Sequence, residues 1–390
     1  MTKSIEEINA KIKKGAAVVL TAEELSCMAE EASPKEIAEK VDVVTTGTFG
    51  PMCSSGIFIN FGHPEPPIRM QKTYLNDVEA YSGIAAVDAY LGATQHSENN
   101  EKYGGAHVIE ALIAGKDVHL RAYSSGTDCY PRKEIDTIIN KDSVNEIFMF
   151  NPRNVYQNYP AATNTGDQTI YTYMGILRPQ ESNVNYSTAG ELSPLINDPE
   201  LRTIGVGTRI FLCGAQGYVA WNGTQFNATK PRNEHGIPLG SAATLALIGD
   251  LKKMDSRFIK AAYYKGYGVS IFIGVGIPIP ILDEDMARRV SIRNRDIETN
   301  IHDYSKPKHP AIARTNYEAL RSGKIMLNGK IVRTAPMSSL PKARQIATLL
   351  KKSIQNRQFF LTQPVQTLPV NTTLKSLEIR SVEEGGRRFN

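Results

Sequence analysis

The alternation of strand-like and helix-like segments, separated by glycines, constrains the fold of this chain most. Residues 104–115 predict a helix that ends at glycine, and residues 117–123, which are β-branched and alternating, predict the next strand. An earlier predicted strand, residues 41–46, runs into a glycine-rich loop. This strand–helix–strand order is typical of an α/β fold. We therefore expect a mixed or parallel sheet core with flanking helices and a small, basic α+β region at the C-terminal end.

Two cysteines follow predicted strands in polar loops. Cys129 lies in AYSSGTDCYPRKE, residues 122–134, before a helix predicted over residues 131–140, and Cys53 lies in the loop of residues 47–56. The start of a helix, together with Arg132 and Lys133, would favour the Cys129 thiolate. Because ligands gather at the carboxyl ends of strands in open α/β sheets, both thiols are expected to project into one cleft. A buried, inert cysteine is the alternative for Cys129.

Length and composition indicate a soluble globular protein. The 390 residues suffice for two or three structural units. No apolar run reaches the ~20 residues of a membrane span, so no membrane partner is expected. Four widely spaced cysteines do not form a disulfide scaffold, which suggests a reducing cytoplasm. We predict an α/β catalytic core over 1–303, a basic helix–hairpin–helix region over 304–369 packed on it, and a flexible tail over 370–390.

The charge is distributed unevenly along the chain. From Lys306 onward there are 16 lysines and arginines against 4 acids, although the whole chain carries only +5. This surplus favours an acidic partner, although lysines on ordinary helix faces explain it equally well. No nucleic-acid-binding motif accompanies it, so nucleic acid is not expected as a partner. The oligomeric state is left open, a homo-oligomer included.

Local signals place several further elements. Ser4-x-x-Glu7 and Thr21-x-x-Glu24 are capping boxes that open two helices, and Asn328-Gly329 predicts a hairpin turn. Further helices are predicted over residues 78–91, 315–322 and 341–355, and two more are predicted to begin at Ser241 and Asp283. Further strands are predicted over residues 143–150 and 269–275.

Known catalytic motifs are missing from the sequence. It contains no complete dinucleotide fingerprint, Walker loop, HExxH, CxxC or G-x-S-x-G. The residues alone therefore indicate a thiol-dependent α/β enzyme.

Four long segments resemble one known family. They are VVTTGTFGPMCSSGIFINFGH, GGAHVIEALIAGKDVHLRAYSSGTDCYPRKE, IGVGTRIFLCGAQGYVAWNGTQ and KGYGVSIFIGVGIPIPILDEDMA. The chain resembles the homocysteine biosynthesis (HcyBio) family of anaerobic archaea and bacteria from about Ile5 to Pro369. The resemblance implies an L-aspartate semialdehyde sulfurtransferase that installs reduced sulfur to give homocysteine.

The resemblance also implies roles for the two cysteines. The family's persulfide-forming cysteine matches Cys129 and its other characteristic cysteine matches Cys53. As a hypothesis, the Cys129 persulfide attacks the aldehyde and Cys53 resolves it, leaving a disulfide that an external donor must reduce. Implied partners are a sulfide or persulfide donor and a ferredoxin-like electron donor protein. No tightly bound cofactor is expected.

The zwitterionic substrate requires a cation for its carboxylate. Arg132 is the nearest candidate in sequence, and Arg69, Arg153 and Arg232 lie in other polar loops. His63 and His107 are candidates for proton transfer at the aldehyde oxygen. Ser54, Ser55 and Thr127 flank the two cysteines and complete the predicted substrate-binding set.

Two alternatives remain open. Cys53, Cys129 and Cys213 could ligate an iron–sulfur cluster in a sulfur or electron carrier, although no close cysteine spacing supports it. A CoA-transferase-like enzyme would share the glycine-rich strand ends but need neither thiol. Because the family pattern has glycine where Cys213 stands, a direct role of Cys213 in sulfur transfer is not expected.

Overall fold

The computed structural model describes residues 2–379. The α-helices are α1 (Ile5–Lys14), α2 (Ala22–Met28), α3 (Pro34–Lys40), α4 (Gly105–Ile113), α5 (Pro194–Asn197), α6 (Glu284–Val290), α7 (Tyr317–Arg321) and α8 (Leu340–Gln355), with single 3-10 turns at Gly190–Leu192, Leu251–Lys253 and Ser256–Phe258.

The strands are short and numerous. They are β1 (Val19–Thr21), β2 (Val43–Thr45), β3 (Thr48–Pro51), β4 (Gly56–Asn60), β5 (Lys72–Leu75), β6 (Val78–Ala80), β7 (Asp88–Gly92), β8 (Val118–Tyr123), β9 (Glu134–Ile139), β10 (Glu146–Asn154), β11 (Ala161–Thr163), β12 (Ile170–Thr172), β13 (Gly175–Leu177), β14 (Asn183–Tyr186), β15 (Gly205–Val206), β16 (Arg209–Leu212), β17 (Ala215–Asn222), β18 (Leu245–Asp250), β19 (Ile259–Tyr264), β20 (Gly268–Gly276), β21 (Pro278–Pro280), β22 (Glu298–Asp303), β23 (Ala311–Asn316), β24 (Lys324–Leu327), β25 (Lys330–Pro336) and β26 (Gln366–Thr367).

One nine-stranded sheet organises the fold. Its strand order is β19-β20-β16-β17-β18-β10-β4-β7, and β3 pairs with β20 beside this path. A six-stranded sheet has the order β23-β22-β11-β14-β25-β24, and a four-stranded sheet has the order β6-β5-β8-β9. Most pairs are antiparallel, whereas β1–β2, β11–β22 and β14–β25 are parallel. The predicted α/β class with mixed sheets is thus confirmed.

Two helices cover the nine-stranded sheet and close the main core. Helix α4 buries Val108, Ile109 and Leu112 against β4, β19 and β20. Helix α8 packs on β3 and β20. Its Ile346 side chain lies so close to Gly276 of β20 that a Cβ atom at this glycine would be 2.9 Å from it. These contacts hold β3 and β4, and therefore the loop between them, in a fixed place.

Several local predictions are confirmed. Both capping boxes form at Ser4 and Thr21, and Asp283 caps α6. Helices α4, α7 and α8 and the β24–β25 hairpin also lie where the sequence predicts them. Local capping and turn chemistry therefore suffices at these positions.

Three predicted helices are wrong. Residues 131–140 contain β9, which pairs antiparallel with β8, residues 78–91 contain β6 and β7, and the chain after Ser241 enters β18. In the first case the β-branched residues of Glu134–Ile139 fit a strand, and pairing along all of β8 outweighs the helical spacing of the isoleucines. The helix start expected to favour a Cys129 thiolate does not exist.

The C-terminal region shares a sheet with the preceding chain. The predicted boundary at 303/304 falls between β22 and β23, which are paired strands, and β25 pairs with β14. The division into two regions stays a prediction. Some of the basic surplus is paired with acids, since Arg344 contacts Glu23 at 2.8 Å and Lys351 contacts Glu24 at 2.6 Å.

The predicted flexible tail over 370–390 lies partly outside the described residues. Residues 371–379 contain neither helix nor strand. Within residues 2–379, no helix is long and apolar enough to span a bilayer.

Candidate active site

The loop that carries Cys53 is held at both ends. The Met52 amide donates to the Ile271 carbonyl of β20 at 2.7 Å, and the Ser55 carbonyl accepts from the Ala93 amide at 2.8 Å. The Ser55 hydroxyl donates to the Met52 carbonyl at 2.6 Å, which closes the loop. Cys53 remains a free, partly exposed thiol on this rigid support.

The loop ends at a glycine for a steric reason. A Cβ atom at Gly56 would lie 2.3 Å from the Tyr90 hydroxyl oxygen, because the Tyr90 ring packs against the start of β4. Only glycine allows this approach. The glycine that follows CSS in the sequence is thus explained by packing.

Tyrosine hydroxyls surround the Cys53 thiol. Tyr267 lies near Cys53, and burial, followed by the interaction with Cys53, raises the pKa of Tyr267 to about 12. Burial likewise raises the pKa of Tyr156, which also lies near Cys53, to about 12. Burial and the same thiol raise the pKa of Tyr264. At neutral pH these hydroxyls are therefore protonated and able to donate hydrogen bonds.

Arg153 supplies a positive charge beside this thiol. Its Nη2 atom donates to the Ser54 hydroxyl at 2.9 Å, and its buried Nε atom has no partner. No carboxylate of the described residues lies within 4.0 Å of this guanidinium. An unpaired guanidinium next to an accessible thiol is suited to an anionic ligand.

Further buried polar atoms near the thiol have no partner. The Tyr264 hydroxyl and the Ser270 hydroxyl are both unsatisfied. Since Tyr264 pairs with Gly268 and Ala262 pairs with Ser270, alternation along the hairpin puts both side chains on one face. Native proteins rarely leave buried hydroxyls unpaired, so this face favours a polar ligand.

The backbone is strained at the end of β10. Val155 is a buried, β-branched residue with φ +52°. The Asn154 side-chain oxygen accepts from the Val155 amide at 2.8 Å and stabilises this conformation. Strain of this kind concentrates at functional sites. Two residues near it in the chain, Arg153 and Tyr156, both lie near the Cys53 loop.

A chain of tyrosine hydroxyls leads away from Cys53. The Tyr267 and Tyr173 ring centroids are 6.0 Å apart. The Tyr173 hydroxyl bonds the Tyr304 hydroxyl at 2.9 Å, and Tyr159 donates to Tyr173 at 3.0 Å. Burial raises the pKa of both Tyr159 and Tyr304. The thiol site is therefore continuous with a buried, neutral hydroxyl network.

Cys129 lies elsewhere, in the loop that joins β8 to β9. The Thr127 amide donates to the Tyr130 carbonyl at 3.0 Å, and the Tyr130 amide returns a bond to the Thr127 carbonyl at 3.1 Å. Gly126 adopts φ +80°, which favours glycine. This tight turn displays Cys129 as an exposed free thiol. Thr127 thus shapes the turn.

The predicted carboxylate ligand Arg132 already has partners. Its Nη2 and Nε atoms donate to the carbonyls of Glu65 at 2.6 Å and Pro66 at 2.9 Å. His63 stacks on Tyr130 with the ring centroids 6.0 Å apart. These contacts fasten the Cys129 loop to residues 63–67.

The two predicted catalytic cysteines lie in loops next to opposite ends of β4. Cys53 precedes Gly56, the first residue of β4, whereas residues 61–63, which lead to the Cys129 loop, follow its last residue, Asn60. Four strand steps of about 3.3 Å put ~13 Å between the two ends of β4. One shared cleft for both thiols stays a prediction.

Two remaining predicted residues have structural partners. His107 lies in the first turn of α4, where its Nδ1 atom accepts from the Gly104 amide at 3.2 Å and its ring stacks on Tyr103. Burial lowers the pKa of His107, so the ring is neutral at pH 7. Ser55 closes the Cys53 loop, as described above. Neither residue contacts the Cys53 thiol through a recorded bond.

Cys213 is unsuited to catalysis. It occupies the β16–β17 turn, is fully buried, and burial raises the pKa of its thiol to about 12. Among residues 2–379, no three His, Cys, Asp or Glu side chains gather as a metal site. The iron–sulfur alternative with Cys53, Cys129 and Cys213 stays a prediction.

Sequence reasoning missed the residues that build the Cys53 site. Tyr156 lies in the polar, aromatic segment over residues 151–165, whose composition does not single out any one residue for a site. Tyr264 and Tyr267 belong to YYKGYG, residues 263–268, whose closely spaced tyrosines around a glycine turn were an available signal. Arg153 was one of four arginine candidates.

The fold and site define a mixed α/β protein with an accessible thiol flanked by an unpaired arginine and tyrosine hydroxyls. The sequence profile of a family described as homocysteine biosynthesis enzyme, sulfur-incorporation, matches residues 17–361. This chain belongs to that family.

Named relatives agree with the family assignment. The chain is 54% identical over 384 residues to the L-aspartate semialdehyde sulfurtransferase of Methanocaldococcus jannaschii, covering 94% of this chain and 73% of the relative. It is 51% identical over 380 residues to the protein of the same name from Methanosarcina acetivorans, covering 96% and 74%. An uncharacterized protein of Methanothermobacter thermautotrophicus is 27% identical over 335 residues, covering 83% and 73%. No solved structure matches the chain.

Proposed function

We propose that this chain is an L-aspartate semialdehyde sulfurtransferase that makes L-homocysteine. The observation that carries the proposal is the partly exposed Cys53 thiol with the unpaired Arg153 guanidinium and the Tyr267 hydroxyl beside it. The family and the names of two relatives support it. Four free thiols suit a reducing compartment such as the cytoplasm.

The overall reaction balances with one electron pair. An aldehyde and hydrogen sulfide lose water to give a thioaldehyde, which two electrons and two protons reduce to the thiol. If a cysteine persulfide delivers the sulfur, its outer sulfur first adds to the aldehyde carbon. A second thiol then attacks the inner sulfur, so that the substrate-bound sulfur leaves and a disulfide remains. The next hydrosulfide reopens this disulfide to a persulfide and a thiol. The electron pair that reduces the thioaldehyde comes from an external donor. We propose that this donor is a ferredoxin-like protein.

The Cys53 site offers a group for each part of the substrate. Arg153 is placed to bind the carboxylate through its guanidinium while it keeps its bond to Ser54. The Tyr264 and Tyr267 hydroxyls, both protonated at neutral pH, are placed to donate to the aldehyde oxygen as sulfur adds to the carbon. We therefore infer that the aldehyde reacts at Cys53.

Replacing Tyr267 with phenylalanine should lower kcat for homocysteine formation at least about tenfold. The variant loses a hydroxyl that is placed to donate to the aldehyde oxygen, and a hydrogen bond to a charged group contributes about 1.5–3 kcal/mol. Tyr263→Phe is the control, because Tyr263 lies on the opposite face of β19 from Tyr264. An equal kcat for wild type and Tyr267→Phe would show that Tyr267 takes no part in the reaction.

We propose that Cys129 is the thiol that accepts sulfur from the donor. It is exposed on a hydrogen-bonded turn, where a protein donor can reach it, whereas Cys53 is only partly exposed. Because the loops of the two thiols lie next to opposite ends of β4, we infer that sulfur passes to Cys53 from a second copy of the chain or after a rearrangement.

Cys129→Ser should lower homocysteine formation to less than a tenth of wild type, because the accepting thiol is lost. If transfer occurs between copies, mixing Cys129→Ser with Cys53→Ser should restore part of the activity. Full activity of Cys129→Ser alone would disprove the role of Cys129. Two inactive variants that stay inactive when mixed would show that both thiols act within one chain.

The decisive experiment for the function is reconstitution. The protein is incubated anaerobically with L-aspartate semialdehyde, sulfide and a reductant, and homocysteine is measured by mass. Thiol alkylation before the assay should abolish the product, whereas a CoA-transferase-like enzyme would remain active. Brown colour after anaerobic purification would favour the iron–sulfur alternative.

A further inference from the structure

A cavity of about 530 Å³ lies against one face of the six-stranded sheet. In β22, burial alternates from residue to residue, so Asn300 and His302 share the more accessible face, and both line the cavity. Arg314 of β23 is paired with Asn300 and also lines the cavity. Tyr304 continues the same alternation just after β22 ends. The sheet therefore fixes the position of these side chains.

The loop of residues 230–241 forms another part of the wall, to which Lys230 contributes. The side-chain amide of Asn158 donates to the carbonyl of Pro238 in this loop and to the carbonyl of Glu298 in β22, both at 2.8 Å. These two bonds hold the loop beside β22. The cavity between them is therefore a built feature of the fold.

Positive side chains converge on this cavity. Its wall contains Lys230, Arg314, His302 and His309, and none of the described residues that line it is an aspartate or a glutamate. Burial lowers the pKa of His302, and the charges of His309 and Lys230 add to this effect, so these groups lie close to one another. The Arg314 Nη1 atom lies 4.0 Å from the Glu298 carboxylate, which is too far for a hydrogen bond.

Tyrosines line the cavity as well. They are Tyr159, Tyr173 and Tyr304, and the His309 ring stacks on Tyr304 with the ring centroids 4.2 Å apart. Burial raises the pKa of Tyr159 and of Tyr304, so their hydroxyls are protonated at neutral pH. A ligand in the cavity is therefore offered hydroxyl donors in addition to positive charge.

The same wall does not suit an amino acid. The ammonium group of an amino acid is stabilised by a carboxylate within hydrogen-bonding distance, and the described wall contains none. Lys230 and Arg314 would repel an ammonium group. No residue of the Cys53 loop, residues 47–56, lines the cavity. It is therefore a different site from the one proposed for L-aspartate semialdehyde.

We propose that this cavity binds a small dianion that carries no ammonium group, namely a phosphate monoester or a dicarboxylate. Lys230 and Arg314 bind its charged oxygen atoms, and the Tyr304 hydroxyl donates a further hydrogen bond. The volume of about 530 Å³ falls within the usual range of small-molecule sites, about 300–1,000 Å³. The proposal goes beyond sulfur transfer and does not depend on it.

Isothermal titration calorimetry of the full chain tests the site with three probes. They are sn-glycerol 3-phosphate, succinate and L-aspartate, which is succinate with one ammonium group added. At least one of the two dianions is expected to bind, and the tighter of them identifies the kind of dianion. L-Aspartate should bind at least about tenfold more weakly than this dianion, because its ammonium group finds no carboxylate. If neither dianion binds, or if L-aspartate binds as tightly, the proposal is wrong.

Two substitutions show whether the dianion binds in this cavity. Lys230→Gln and Arg314→Gln should each raise the Kd about tenfold or more, since each removes a charged hydrogen-bond donor. Both side chains are exposed, so the fold should tolerate either change. Lys324→Gln is the matched control, because Lys324 is an exposed lysine of β24 that does not line the cavity.

Arg153→Gln separates this cavity from the Cys53 site. It should leave the Kd of the dianion unchanged, because Arg153 does not line the cavity. If Arg153→Gln weakens binding while Lys230→Gln and Arg314→Gln do not, the dianion binds at the Cys53 site. An unchanged Kd in both cavity variants disproves the proposal in every case.

Discussion

Cys53→Ser is expected to lower homocysteine formation from L-aspartate semialdehyde and sulfide by at least ~10³-fold, because loss of a reacting nucleophile removes the covalent route entirely. A serine hydroxyl cannot carry a persulfide and cannot form a disulfide. The Tyr267 hydroxyl and the Arg153 guanidinium lie near Cys53. We therefore expect the aldehyde substrate to bind next to Cys53.

The control for this variant is Cys27→Ser. Cys27 is an exposed free thiol on α2 and is not part of the proposed site, so its loss should leave the rate unchanged. Retention of half or more of the activity by Cys53→Ser would disprove a covalent role. Circular dichroism of each variant shows whether a lost rate reflects unfolding.

Arg153→Gln is expected to raise the KM for L-aspartate semialdehyde about 10- to 100-fold, with a smaller effect on kcat. A hydrogen bond between charged partners contributes about 1.5–3 kcal/mol, and glutamine keeps a donor for Ser54 but loses the charge. The KM for sulfide should not change, because hydrosulfide is not expected to contact this guanidinium.

Arg209→Gln is a matched control for the Arg153 variant. Arg209 also has a buried Nε atom without a partner, but it lies over Tyr218 on β17 and donates to the Phe360 carbonyl. Arg132→Gln tests the competing assignment from the sequence. If the KM for L-aspartate semialdehyde is unchanged in Arg153→Gln but raised in Arg132→Gln, the substrate carboxylate binds at the Cys129 loop and not at Arg153.

The two thiols illustrate how far sequence reasoning reaches. Both cysteines were found because they stand in polar, glycine-containing loops, and both prove to be accessible free thiols. Their common cleft was predicted from the rule for parallel α/β sheets. The rule does not carry over to this fold, because Cys53 follows β3, which pairs with β20 in the nine-stranded sheet, whereas Cys129 follows β8 in the four-stranded sheet, and the common cleft stays a prediction.

The misassigned segment 131–140 has a similar cause. Ile135, Ile138 and Ile139 fit one face of a helix as well as they fit a strand. Residues 134–139 form a strand because they pair with six consecutive residues of β8. The local sequence of this segment does not show that such a partner strand is available. The consequence is functional, since a Cys129 turn without a following helix lacks the N-terminal amides expected to stabilise its thiolate.

The sequence by itself determined the α/β class, the capped helices at Ser4, Thr21 and Asp283, the β24–β25 hairpin and the identity of the exposed thiols. These features depend on residues close together in the chain. Only the tertiary structure decided which groups surround Cys53, because Arg153, Tyr156 and Tyr267 come from segments more than 90 residues away from it. Contacts at that separation depend on strand pairing and packing, which local patterns do not specify.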